Sequence, residues 1–256
     1  MIKITGKKRV WWKLGAHEVL STVDSNSLEG AKLEKQDLTD AMLPGANLVG
    51  AKLGRTLLVG ANLEGANMRA VEAEEANFSN AKMTMVDLHD AQLSSSNLDF
   101  ADLTRANLNT AKLRGASMVR CKLIYAKLDR AKLSGVNLDS ANLGNSSVDE
   151  ASFREANLHH ADFSNCSLRK ANFTGADLHD ADLTDADLRG AAFMEADLSS
   201  TKLLGAKFEG AVYTQDTKWP SDFNPDEHRL RKVNRRVQKK PEASEPTDVW
   251  EINAME

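Results

Sequence analysis

Aromatic residues are scarce in this 256-residue chain, at 5%, and only two residues are cysteine. Two cysteines do not build a disulfide framework. Only five residues are proline, four of them at or beyond position 220, so the long stretch before it is almost free of that interruption. No apolar run approaches the ~20 residues of a membrane span, and the first residues lack the roughly 7–15-residue apolar block of a signal peptide. These absences give the expectation of a soluble, cytoplasmic chain. The net charge of −4 gives no overall pull toward nucleic acid or anionic lipid. There is no phosphate loop, no GxSxG, no CxxC and no HExxH, so the sequence reads as non-enzymatic and without a cofactor.

The chain does have a beat. From Asn26-Ser-Leu28 through Ala31-Lys-Leu33 to Ala206-Lys-Phe208, a large apolar centre recurs every five residues without one insertion or deletion. Residues 26–210 hold 37 such repeats, and 26 of their centres are Leu and six Phe. Two residues before the centre stands a small residue, Ala in 26 repeats. On an α-helix, centres five apart would lie ~140° from one another and wander around the whole surface. In a continuous strand, successive centres would alternate between faces. A fixed beat of five therefore requires one turn per repeat, with the small and the large position both facing a common interior. Eleven of the fifteen glycines fall two residues after a centre, where such a corner calls for positive φ. The architecture is a solenoid.

The pattern A-(D/N)-L-x-x, as in Ala101-Asp-Leu-Thr-Arg and Ala176-Asp-Leu-His-Asp, resembles the pentapeptide-repeat family. The resemblance implies an all-β fold, a right-handed quadrilateral β-helix with four repeats per coil and about nine coils. It also implies a mostly non-enzymatic role. Twenty-residue stacking then places Phe153, Phe173, Phe193 and Tyr213 in one aromatic ladder. It puts Cys121 and Cys166 on different faces as buried reduced thiols. Ala73 in the large slot and Val71 in the small one mark a weak coil with a bulge or a small void.

The solenoid's ends need covers. Residues 1–25, with Trp11 and Trp12, read as an N-terminal cap, and 211–225, with Tyr213, Trp219, Pro220 and Phe223, as a C-terminal one. Asn224-Pro225-Asp226-Glu227 has the form of a helix start, and a basic helix over 226–240 is expected. Its Arg229, Arg231, Lys232, Arg235 and Arg236 are candidate partner contacts, toward acidic protein, phosphate or, weakly, a membrane surface. Residues 241–256, rich in Glu, Ser and Pro, read as a disordered tail.

On the rod, His159 and His179 stack one coil apart with Asp139 one coil below, a set that would suit Zn²⁺ or Ni²⁺; outward histidines without a full ligand set are the plainer reading. Charge comes in belts. Residues 105–132 carry eight basic side chains against Asp129, and 176–197 carry seven acids against Arg189. Both belts wrap around the rod, whereas a nucleic-acid groove wants its cations on one face, interleaved with aromatics. Family members of the quinolone-resistance type present acidic rods to DNA gyrase, which makes DNA mimicry an alternative. The chain departs from that type in its basic middle, its lack of inserted loops and its charged end. The favoured reading is a rod that binds another macromolecule, a protein first of all.

Overall fold

The computed structural model describes residues 9–14, 18–24 and 28–234. Strands β1 (Arg9–Leu14) and β2 (Glu18–Asp24) form an antiparallel hairpin with a register irregularity between Val10 and Trp12. The proposed capping by the Trp11 and Trp12 side chains lies outside the described residues. So do Arg235, Arg236 and the tail at 241–256.

From residue 28 on, the chain winds. Parallel bridges join each repeat to the one twenty residues later, from Lys32↔Lys52 to Ala192↔Val212, so four repeats close a coil. Each repeat contributes a single bridging residue, because a corner follows at once. Around it the backbone is fully used. The Leu53 N–H donates to Glu72 O at 2.6 Å, the Lys52 N–H to Ala31 O at 2.8 Å, and the Thr56 N–H closes the turn onto Leu53 O at 3.0 Å. These ladders satisfy buried backbone groups without any helix in the rod. Every centre from Leu28 to Phe208 is buried, apart from half-buried Leu203.

The residue preferences follow from this geometry. An Asn or Asp before the centre accepts the N–H two residues on: Asn62 Oδ1 from Glu64 at 3.1 Å, Asp177 Oδ1 from His179 at 3.1 Å. This Asx link holds the turn and explains the D/N of the repeat. The small slot admits a hydroxyl or thiol where it reaches a carbonyl of the preceding coil. Thr201 Oγ1 donates to Leu178 O at 2.8 Å, Ser146 Oγ to Leu123 O at 2.6 Å, and Cys166 Sγ to Leu143 O at 3.0 Å. Both cysteines are free and buried, and desolvation pushes the Cys121 thiol far up and Cys166 to about 12. Such thiols are inert toward thiolate chemistry.

The corner residue of all 37 repeats has positive φ, and in 26 of them it is not glycine. L-residues are disfavoured there by roughly 1–2 kcal/mol each. Ala70, exposed at φ 52, has only a methyl group, which can make no hydrogen bond to compensate. Ala70→Gly is expected to stabilise the rod by about 0.5–1 kcal/mol, read as a rise in thermal midpoint of a few degrees.

Phe153, Phe173 and Phe193 stack nearly parallel, at 5.1 and 5.3 Å between centroids. Tyr213 does not extend the ladder. It meets Trp219 edge-on at 5.7 Å, and Trp219 covers Phe193 at 5.7 Å. The reason is one extra residue in the last turn: Asp197 bridges Lys218, twenty-one positions on. At Val71–Ala73 the ladder runs on through Lys52↔Glu72↔Gln92, with Ala73 N–H to Gln92 O at 2.8 Å, so the expected bulge is absent.

The basic helix is overturned within the described residues. Asn224 caps a single 3₁₀ turn, Pro225–His228, and Arg229 ends it in the left-handed region at φ 57. Strand β4 (Arg231–Lys232) then pairs in parallel with β3 (Val212–Tyr213). The Arg231 N–H donates to Ala211 O at 2.9 Å and the Val233 N–H to Tyr213 O at 2.8 Å, while Leu230 is buried against the core. The last coil has carbonyls with no following coil to accept from, and pairing them outweighs the local helical preference.

Candidate functional site

The proposed ligand set does not assemble. His159 and His179 face each other at 5.7 Å between ring centroids. Each, however, points at a carboxylate: His159 Nε2 lies 2.7 Å from Asp177, and His179 Nε2 lies 3.3 Å from Asp180. Asp139 joins neither. Among the described residues no group of three or more His, Cys, Asp and Glu side chains is arranged to hold a metal ion. The physical reason is a lean between coils: outward side chains reach residues eighteen positions away as often as the one directly above. Ser117–Asp99 and Ser147–Asp129 show the same offset. Asp177 of the following coil thus captures His159, and Asp139 of the preceding one does not.

Three of the seven acids of the belt are paired with a Lys or Arg, two of them with a cation beyond residue 197. Asp182 pairs with Lys202 at 3.1 Å, Asp187 with Arg189 at 2.6 Å, and Asp197 with Lys218 at 2.7 Å. Partial burial alone would raise the Asp197 carboxyl, but Lys218 and Ser199 outweigh it and hold the group at about 2. An unfolded aspartate protonates near its ordinary value of 3.8, so this stabilisation is whole above about pH 4 and fades as pH falls toward 2. The thermal midpoint is expected to drop through that window, and Lys218→Met to flatten the drop in pH-dependent melts.

The three described basic candidates, Arg229, Arg231 and Lys232, are all exposed at the C-terminal end. They flank Leu230, buried on the core side, and form a rim where an amphipathic helix was expected. Among the described residues no helix is long and apolar enough to cross a membrane. The sequence reading missed one feature. Among the described residues the exposed large apolar side chains are Met42, Leu57, Met85, Phe100, Tyr125 and Leu204. Their signal in the sequence is a large apolar residue at an outward position of the repeat, where polar residues are the rule.

Family models describe what the chain resembles. A pentapeptide repeat region matches residues 116–193 and 144–213, and pentapeptide repeats in eight copies match 27–58, 46–84 and 74–109. Among solved structures, the chain is 31% identical to HetL, a pentapeptide repeat protein involved in heterocyst differentiation regulation from the cyanobacterium Nostoc sp. strain PCC 7120. That match covers 73% of this chain and 88% of HetL, with a TM-score of 0.51. The pentapeptide repeat protein alr5209 from Nostoc PCC 7120 is 38% identical over 42% of this chain and 84% of its own, with a TM-score of 0.26. QnrB1, a plasmid-mediated fluoroquinolone resistance protein, is 15% identical over 71% of this chain and 88% of its own, with a TM-score of 0.45. No curated protein is significantly similar to the chain.

Proposed function

Because the chain belongs to the pentapeptide-repeat family, we propose that it is a non-enzymatic scaffold in the cytoplasm, a rigid rod of about nine coils that binds another protein. The observation that carries this reading is the division of labour within each repeat. Two positions are spent on the core, and the others form an outward lattice fixed by inter-coil hydrogen bonds. A rigid lattice loses little conformational entropy when a partner settles on it, which favours recognition by pre-organised side chains. Arg229, Arg231 and Lys232 supply a cationic rim at one end for an acidic protein surface, with Arg235 and Arg236 following in sequence. The test is reconstitution. A protein recovered from the native host by the full chain should co-elute with it when both are purified, and Arg231→Glu with Lys232→Glu should weaken the complex. Failure of every recovered protein to re-form a complex would end the proposal.

Gyrase modulation by DNA mimicry would require carboxylates free to imitate phosphates. Of the seven acids at 176–197, Asp182, Asp187 and Asp197 are instead tied to Lys202, Arg189 and Lys218, and Asp177 and Asp180 face His159 and His179. Micromolar protein is therefore expected to leave gyrase supercoiling unchanged, and inhibition in that assay would favour mimicry.

A further inference from the structure

Stacking gathers the exposed apolar side chains. Residues twenty apart share a column of the rod. Met42, Met85, Tyr125 and Leu204 all lie on the face built by 41–45, 81–85, 121–125 and 201–205, whereas Leu57 and Phe100 lie on the neighbouring face built by 56–60 and 96–100. The two faces built by 46–55 and their stacked equivalents carry no exposed large apolar residue. Scattered single apolar side chains are ordinary on a protein surface, but among the described residues four of the six share one face and the other two the face beside it.

At the middle of this face, Met85, Ile124 and Tyr125 line a shallow groove with Thr84, Thr104 and Arg105. Arg105 lines it, Lys122 lies on the same face and Arg120 at the corner that opens 121–125; all three are exposed, and none is in an ion pair among the described residues. Arg55, Arg130 and Arg169 are each matched to a carboxylate, whereas Lys112 and Arg114 on the opposite face, like Arg105, Arg120 and Lys122, are in no ion pair among the described residues. What sets this face apart is that apolar groups and cations meet on it, with Asp102 stacked beside Lys122 and Glu64 held by Lys82 as its acids.

Resting on the reading of the rod as a protein-binding scaffold, we propose that this face docks an extended acidic segment of a partner protein. One large apolar side chain of the segment seats against Met85, Ile124 and Tyr125, and flanking carboxylates meet Arg105, Arg120 and Lys122. Charge complementarity selects this occupant. From Met85 to Tyr125 is two coils, ~10 Å, which about three residues of extended peptide span. A single-stranded nucleic acid fits less well. It needs open ring faces, whereas the Arg105 guanidinium already lies 5.9 Å over the Tyr125 ring.

The experiment is selection of a displayed library of random peptides on the full-length protein, followed by affinity measurement on variants. Enriched peptides should carry at least two Asp or Glu residues beside a Leu, Phe or Trp. Their affinity should fall about tenfold or more with Arg105→Glu, Lys122→Glu or Tyr125→Ala, and fall steeply with added salt. Lys112→Glu, on the opposite face, should leave it unchanged. All four side chains are exposed, and unchanged melting curves would confirm intact variants. The inference is overturned by enrichment of neutral or basic peptides, by indifference to the three substitutions, by no enrichment, or by oligothymidylate binding this face where acidic peptides do not. In each of these outcomes the broader scaffold reading still stands or falls on reconstitution with a recovered partner.

Discussion

Replacing Phe173 with alanine is expected to remove about 3–5 kcal/mol of stability and lower the thermal midpoint by on the order of 10 °C. Phe173 is fully buried in the middle of a stack, against Phe153 on one side and Phe193 on the other, with the Phe163 ring edge-on at 6.4 Å. Truncation leaves both neighbours without an opposing surface. The coils cannot close over the gap, because their spacing is set by hydrogen bonds such as Phe173 N–H to Ala192 O at 2.8 Å. Phe173→Leu should recover most of the loss. Urea unfolding of the three proteins would measure both effects, and a change below 1 kcal/mol for the alanine variant would show that the stack contributes little.

The larger effect is expected from Leu113→Asp. Leu113 is a fully buried centre near the middle of the rod, and its N–H is already given to Lys132 O at 2.8 Å. An aspartate there buries either an unpaired charge or an unsatisfied carboxyl, a change in the range above roughly 4–5 kcal/mol that marks exceptional mutants. In a solenoid each coil contacts only its neighbours, so stability is nearly a sum of coil and interface terms. A single broken coil at the centre should therefore uncouple the two halves. The expected result is two melting transitions where the parent has one, with hydrogen exchange losing protection first around residues 93–133. Leu113→Met, which conserves volume, should cost less than about 1.5 kcal/mol and keep one transition. One cooperative transition for the aspartate variant would contradict nearest-neighbour coupling.

The interior was legible residue by residue. Leucine at 28, 33, 38 and onward forces a common axis, and the stacked rings of Phe153, Phe173 and Phe193 lie where a twenty-residue coil places them. The elements that escaped the reading are those where a local pattern met a tertiary demand. Asn224-Pro225-Asp226-Glu227 has every mark of a helix start and does begin one turn, but the open edge of the last coil draws Arg231 and Lys232 into a strand. Tyr213 keeps the beat of twenty and still leaves the ladder, because one added residue before Lys218 lets Trp219 take the covering place. Vertical stacking matches His159 to Asp139, whereas its side chain leans toward the next coil and finds Asp177.

By itself the sequence determined the repeat, the axis and the identity of the buried residues, because a side chain's inward direction depends only on its place within five residues. Where the rod ends, which charges cancel, and which outward groups share a face were decided by the tertiary structure alone. Those properties depend on contacts made about twenty residues away, between side chains whose reach and lean no five-residue pattern encodes.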